Sequence, residues 1–101
     1  MIFILTTCKN TAEAKRIATM FLRLRLVACA KWWPIQSSYW WKEKLVAGRE
    51  VMLLLEARKT HWGKIRAAIQ RIHSYEIPMI VALERSQIDP TYHRWLHNVT
   101  S

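Results

Sequence analysis

Two short runs, Ile2-Phe3-Ile4-Leu5 and Val51-Met52-Leu53-Leu54-Leu55, are apolar at every position. Neither alternates, and both are short and rich in strand formers. A strand with one wet face carries polar side chains at every second place, whereas a strand covered on both faces does not. Whatever this chain folds into must therefore cover two strands from both sides.

The rest of the chain supplies one covering layer. Asn10 and Glu13 stand at capping-box spacing. Ala14, Ile17, Ala18, Phe21 and Leu22 follow at helical spacing, with Lys15, Arg16, Thr19 and Arg23 opposite, and predict a helix ending near Arg25. An extended stretch from Val27 to Trp41 comes next, with Pro34 marking an edge or a bend, since it cannot donate to a ladder. Lys42-Glu43 reads as a hairpin tip without the usual glycine. The return strand covers Lys44 to Ala57, with a bulge expected at Gly48. Thr60 is placed to cap a second helix whose buried stripe is Trp62, Ile65, Ile69 and Ile72, with Lys64, Arg66 and Arg71 outside it. Met79–Leu83 reads as a fourth strand, and Asp89-Pro90 opens a terminal helix over Thr91–Asn98. This order predicts one domain over residues 1–101, an α+β ferredoxin-like βαββαβ sandwich with a short C-terminal helix.

In that fold both helices lie on one side, so the second face of the apolar strands has no cover within the chain. Closed self-association is the economical solution. The stretch KWWPIQSSYWWKEK, residues 31–44, holds four of the six tryptophans and is the obvious material for the seal.

Sixteen Lys and Arg against seven acidic residues give a net charge of +9. That surplus favours polyanions or acidic partners and says little about fold. RNA-binding domains of this fold stack bases on aromatics of the central strands, and here those strands are almost wholly aliphatic. The cations fall mainly on the outer helix faces, away from the aromatics, so base-stacking recognition is not expected. Membrane insertion is not expected either, since Met1–Leu5 is too short to span or to target. Cys8 and Cys29 form neither a disulfide framework nor a zinc spacing, and point to a reducing, cytoplasmic setting.

Chemistry-bearing residues are few. His93 and His97 share one face of the last helix and could take one metal ion, though no cysteine or carboxylate stands at a matching offset. His73, Tyr75 and Glu76 bunch between the second helix and Pro78, either as a polar pocket or as a simple helix-to-strand turn. There is no Ser-His-Asp order, no glycine-rich phosphate loop and no spaced carboxylate pair, so no enzyme is expected.

Taken together, several short blocks resemble the CutA family, named for divalent-cation tolerance. They are Leu26-Val27-Ala28-Cys29 with Pro34; Ser37, Tyr39, Trp41 and Lys44 in the hairpin; His73, Tyr75, Glu76 and Pro78; and Tyr92 with Trp95-Leu96. The resemblance implies a non-catalytic homotrimer with clefts between subunits that bind copper(II), another divalent cation or a small-molecule ligand. The pocket set it suggests is Cys29, Tyr39, Trp41, Lys44, His73, Tyr75 and Glu76. His73 would be the metal or hydrogen-bonding group, Glu76 the carboxylate, Lys44 an anion partner and the aromatics the walls. Relatives assigned as copper binders carry a cysteine and a further histidine where this chain has Thr6 and Ile72, while Cys8 lies two residues beyond Thr6. The alternative reading is a basic scaffold whose surface binds nucleic acid or an acidic protein.

Overall fold

In the computed structural model, which describes residues 1–101, the chain runs β1 (Ile2–Cys8), α1 (Thr11–Arg23), β2 (Val27–Trp41), β3 (Lys44–Ala57), α2 (Trp62–Ile72), β4 (Val81–Glu84) and α3 (Pro90–Val99). All four strands join one antiparallel sheet in the order β2-β3-β1-β4. This is the split βαβ arrangement with both crossover helices against one face, as the element order predicts.

That face carries the core. Ile2, Ile4, Thr6 and Cys8 of β1 pair across to Ala57, Leu55, Leu53 and Val51 of β3, and all eight are buried. Ala14, Ile17, Ala18 and Phe21 of α1 and Ile65, Ala68 and Ile69 of α2 pack against them in one cluster. Phe3, Leu5 and Thr7 point to the opposite, open face and are only half-buried. The apolar runs thus do alternate in burial, and the side chains that would have been polar in a solvated sheet are the ones lacking cover.

The helix ends follow local chemistry. Asn10 Oδ1 accepts from the Glu13 backbone N–H at 2.9 Å, and Glu13 Oε1 accepts from Lys9 N–H at 3.0 Å. The helix α1 closes at Arg23, short of Arg25, because Arg25 turns left-handed with φ 59°. Its N–H donates to Leu22 O, and Leu26 N–H donates to Phe21 O, the two bonds of a Schellman stop with arginine where glycine is usual. Lys42 and Glu43 also take positive φ, 48° and 64°, which closes the hairpin as a tight two-residue turn without glycine.

Three expectations are corrected. Gly48 pairs in unbroken register with Ser37, and the bulge falls between Val27 and Cys29, where Ala28 is the extra residue. Thr60 caps nothing: a 3-10 turn over Lys59–His61 runs directly into α2, which has no side-chain cap. The strand β4 starts at Val81 rather than Met79, since its pairing with β1 stops at Leu5 and the Thr7 carbonyl instead accepts a hydrogen bond from His73 Nε2 at 2.8 Å. By contrast Asp89 caps α3 as expected, accepting from Tyr92 N–H at 3.1 Å.

The bulge has a long reach. It reverses the parity of β2 beyond it, so Cys29, Lys31, Trp33, Ile35, Ser37, Tyr39 and Trp41 share the open face with Glu56, Leu54, Met52 and Glu50. The far half of the hairpin is exposed on both sides, with Trp40 at 73% and Leu45 at 68% of full exposure.

Candidate functional site

A cavity of about 590 Å³ opens on the bare side of the sheet, between the outer half of the hairpin and the segment that leads from α2 to β4. The bulge aims Ile35, Ser37, Tyr39 and Trp41 into it from β2, and Glu50 enters from β3. Residues 74–77 and Met79 form the opposite wall, because the chain bends here instead of extending β4. Four of the seven predicted pocket residues therefore meet: Tyr39, Trp41, Tyr75 and Glu76.

The polar centre is Glu50. The phenol of Tyr75 donates to its Oε1 at 2.9 Å, and the Ser37 hydroxyl donates to its Oε2. Burial, with the adjacent Glu50 carboxylate, raises the Tyr75 phenol well above its ordinary range, so it stays a neutral donor. Glu50 and Glu76 have no lysine or arginine partner in a chain with a large excess of both. Sequence reasoning did not select Glu50. Its aim into the cavity depends on the sheet pairing, and no local pattern marks it.

His73 stands behind the wall rather than in it. Its Nδ1 accepts from Tyr75 N–H at 3.0 Å while Nε2 donates to Thr7 O, which fixes a neutral ring with hydrogen on Nε2. The His73 and Tyr75 rings lie 4.9 Å apart. On its other side, ligand atoms of Cys8, Glu13 and His73 come within 4.8 Å of one another, the spacing of a metal cluster. The bonding there does not suit copper, however. Neither ring nitrogen of His73 offers a lone pair without breaking a backbone bond. The Glu13 oxygens hold the N–H groups of Lys9 and Ser74, and burial, with help from Glu13, pushes the Cys8 thiol up to about 12. This cluster is a fastening between β1, α1 and the linker.

Cys29 and Lys44 lie outside the cavity. Lys44 is exposed beside Trp41 at the hairpin tip. Cys29 lies toward the opposite end of the open face, where Lys31 Nζ donates to its sulfur at 3.1 Å and also pairs with Glu56. Glu56, only 3% exposed, accepts from the Tyr92 phenol at 2.5 Å as well, which ties α3 to the sheet. Burial and that bond push Tyr92 up to about 12. The rings of His93 and His97 sit edge to face at 4.5 Å on α3, and no third ligand completes a group with them.

A family model described as "CutA1 divalent ion tolerance protein" matches residues 2–99. The divalent-cation tolerance protein CutA of Archaeoglobus fulgidus is 35% identical over 81 residues, 80% of this chain and 79% of that protein. A solved structure from the same organism, described as periplasmic, superposes with a TM-score of 0.95 at 30% identity over 98% of both chains. CutA1 from Pyrococcus horikoshii superposes with a TM-score of 0.96 at 28% identity over 100% of this chain and 99% of that one.

Proposed function

This chain belongs to the CutA1 divalent ion tolerance protein family, and from that premise we propose that it acts as a non-catalytic, cation-binding homotrimer with its working site in the Glu50–Tyr75 cavity. The observation that carries the site is the pair of carboxylates Glu50 and Glu76. Both face one cavity and neither has a cationic partner, although cations outnumber acids by more than two to one in the chain. Carboxylate, phenol and hydroxyl oxygens form a set suited to a divalent cation, with copper(II) the first to try. Tyr39 and Trp41 would wall the bound ion, or a small ligand carrying it, off from water.

The trimer reading rests on uncovered apolar surface. Trp33, Tyr39, Val81 and Leu83 are exposed on the open face, and Trp40 and Leu45 on the back of the hairpin. Large apolar side chains exposed on both faces of a 12.0 kDa chain favour burial against copies of itself. No helix is long and apolar enough to cross a membrane. The two free thiols support a reducing compartment such as the cytoplasm.

Native mass spectrometry with added copper(II) tests both parts. The expected result is a trimer binding about three ions, with binding lost in Glu50→Gln/Glu76→Gln. A monomer overturns the assembly, and ions retained by the double variant overturn the site.

A further inference from the structure

Six of the sixteen cations stand together on the opposite side of the molecule, where they have no part in binding a cation. The exposed outer faces of α1 and α2 present Lys15, Arg16, Arg23, Lys64, Arg66 and Arg71. No exposed acid accompanies them: Glu13, the one acid of α1, is buried, and α2 contains none. Of the six, Arg16 alone reaches a carboxylate, Glu13 at 3.6 Å, while Arg66 bonds only to the neutral Gln70. Along α1, Lys15, Arg16 and Arg23 line a shallow depression with Thr19.

We propose that this helix face is a docking surface for double-stranded nucleic acid, held through its phosphates and blind to sequence. The two cationic rows each run about 10–12 Å along their helices at 1.5 Å per residue. A duplex carries one charge per about 1.7 Å of axis with both strands counted, so that span holds about six phosphates, and those facing the helices meet a surface of largely unpaired cations. Single strands need stacking platforms, and Trp62, the one aromatic of α2, packs against the core, while Phe21 of α1 is buried. An anionic membrane needs an apolar stripe to insert. On these helices Ile17, Phe21, Ile65 and Ile69 turn inward, leaving Leu22 and Leu24 exposed at one end only.

The test is fluorescence anisotropy with two labelled 20-base-pair DNA duplexes of unrelated sequence, between 50 and 200 mM salt. Both duplexes should bind alike, with a log–log salt slope of roughly −0.9 per phosphate contacted. The variant Lys15→Gln/Arg23→Gln/Lys64→Gln/Arg71→Gln should bind about tenfold or more weakly at the lowest salt, with a shallower slope. Removing the same charge elsewhere, as Lys42→Gln/Lys44→Gln/Arg49→Gln/Arg94→Gln, should leave the slope unchanged. A charge-preserving variant, K15R/R23K/K64R/R71K, should bind like the parent. Equal losses in both neutralised variants, loss in the charge-preserving one, tighter binding of a single strand, or binding to phosphatidylserine vesicles without binding to duplex would each overturn the proposal.

Discussion

The phenol of Tyr75 donates to Glu50 Oε1 at 2.9 Å, joining the linker after α2 to the middle of β3 across the mouth of the cavity. Tyr75 is itself anchored through its backbone N–H to His73, which is anchored to Thr7. One chain of hydrogen bonds thus runs from the end of β1 to the carboxylate that the proposed site depends on.

Cutting that chain at its last link should affect binding more than folding. Tyr75→Phe removes one hydrogen bond to a charged acceptor and is expected to cost about 1–2 kcal/mol of stability, read by urea unfolding. Copper(II) affinity should fall alongside, because Glu50 loses the contact that orients it. Unchanged affinity would show that the phenol plays no part in positioning the carboxylate.

The Glu13 carboxyl carries a pH dependence of definite sign. Burial alone would raise its pKa, but the N–H groups of Lys9 and Ser74 outweigh it and hold the group below its ordinary value of 4.5. The unfolded chain therefore takes up the proton first as pH falls. The stabilisation is complete above about pH 4.5 and is lost as pH drops through the folded value. Urea midpoints measured down to pH 3 should fall on this limb and flatten in Glu13→Gln, which lacks the titrating group.

Arg25 occupies the left-handed position that ends α1. Glycine suits that conformation without the Cβ clash, so Arg25→Gly is expected to raise stability by about 0.5–1 kcal/mol in denaturant titrations. The exposed 3.4 Å contact from its guanidinium to Val99 O is too long and too wet to offset the gain.

The Ala28 bulge decides which hairpin residues see the cavity. The bulge absorbs one residue, so deleting Ala28 should leave Val27 opposite Ala57 and Cys29 opposite Glu56, with Tyr39 and Trp41 still aimed at the cavity. The loss should stay within about 2 kcal/mol, measured by unfolding monitored through tryptophan fluorescence, and copper(II) affinity should be kept. A loss above about 3 kcal/mol, or a loss of copper(II) affinity, would mean that β2 shifts register instead of absorbing the deletion.

Much of the fold was legible in order along the chain. The cap at Asn10, the apolar stripe of α1, the hairpin tip at Lys42-Glu43 and the Asp89-Pro90 start all use residues within four positions of one another. Gly48 misled because glycine in a strand permits a bulge without requiring one, while the real bulge sits at an alanine with no local signature. Thr60 misled for a related reason, since the 3-10 turn ahead of α2 leaves its hydroxyl at no helix start.

What the sequence determined by itself was therefore the periodic part: element types, their succession, the helix-facing core, the uncovered apolar sheet and the acid-free helix faces. These depend on neighbours in the chain and on burial patterns that repeat every two or about 3.6 residues. Only the tertiary structure decided that Glu50 meets Tyr75, that Cys29 and Lys44 stand clear of the cavity, and that His73 spends both nitrogens on backbone. The Glu50–Tyr75 and His73–Thr7 bonds join segments 25 or more residues apart, and which hairpin side chains meet the cavity turns on a one-residue bulge that reverses their facing.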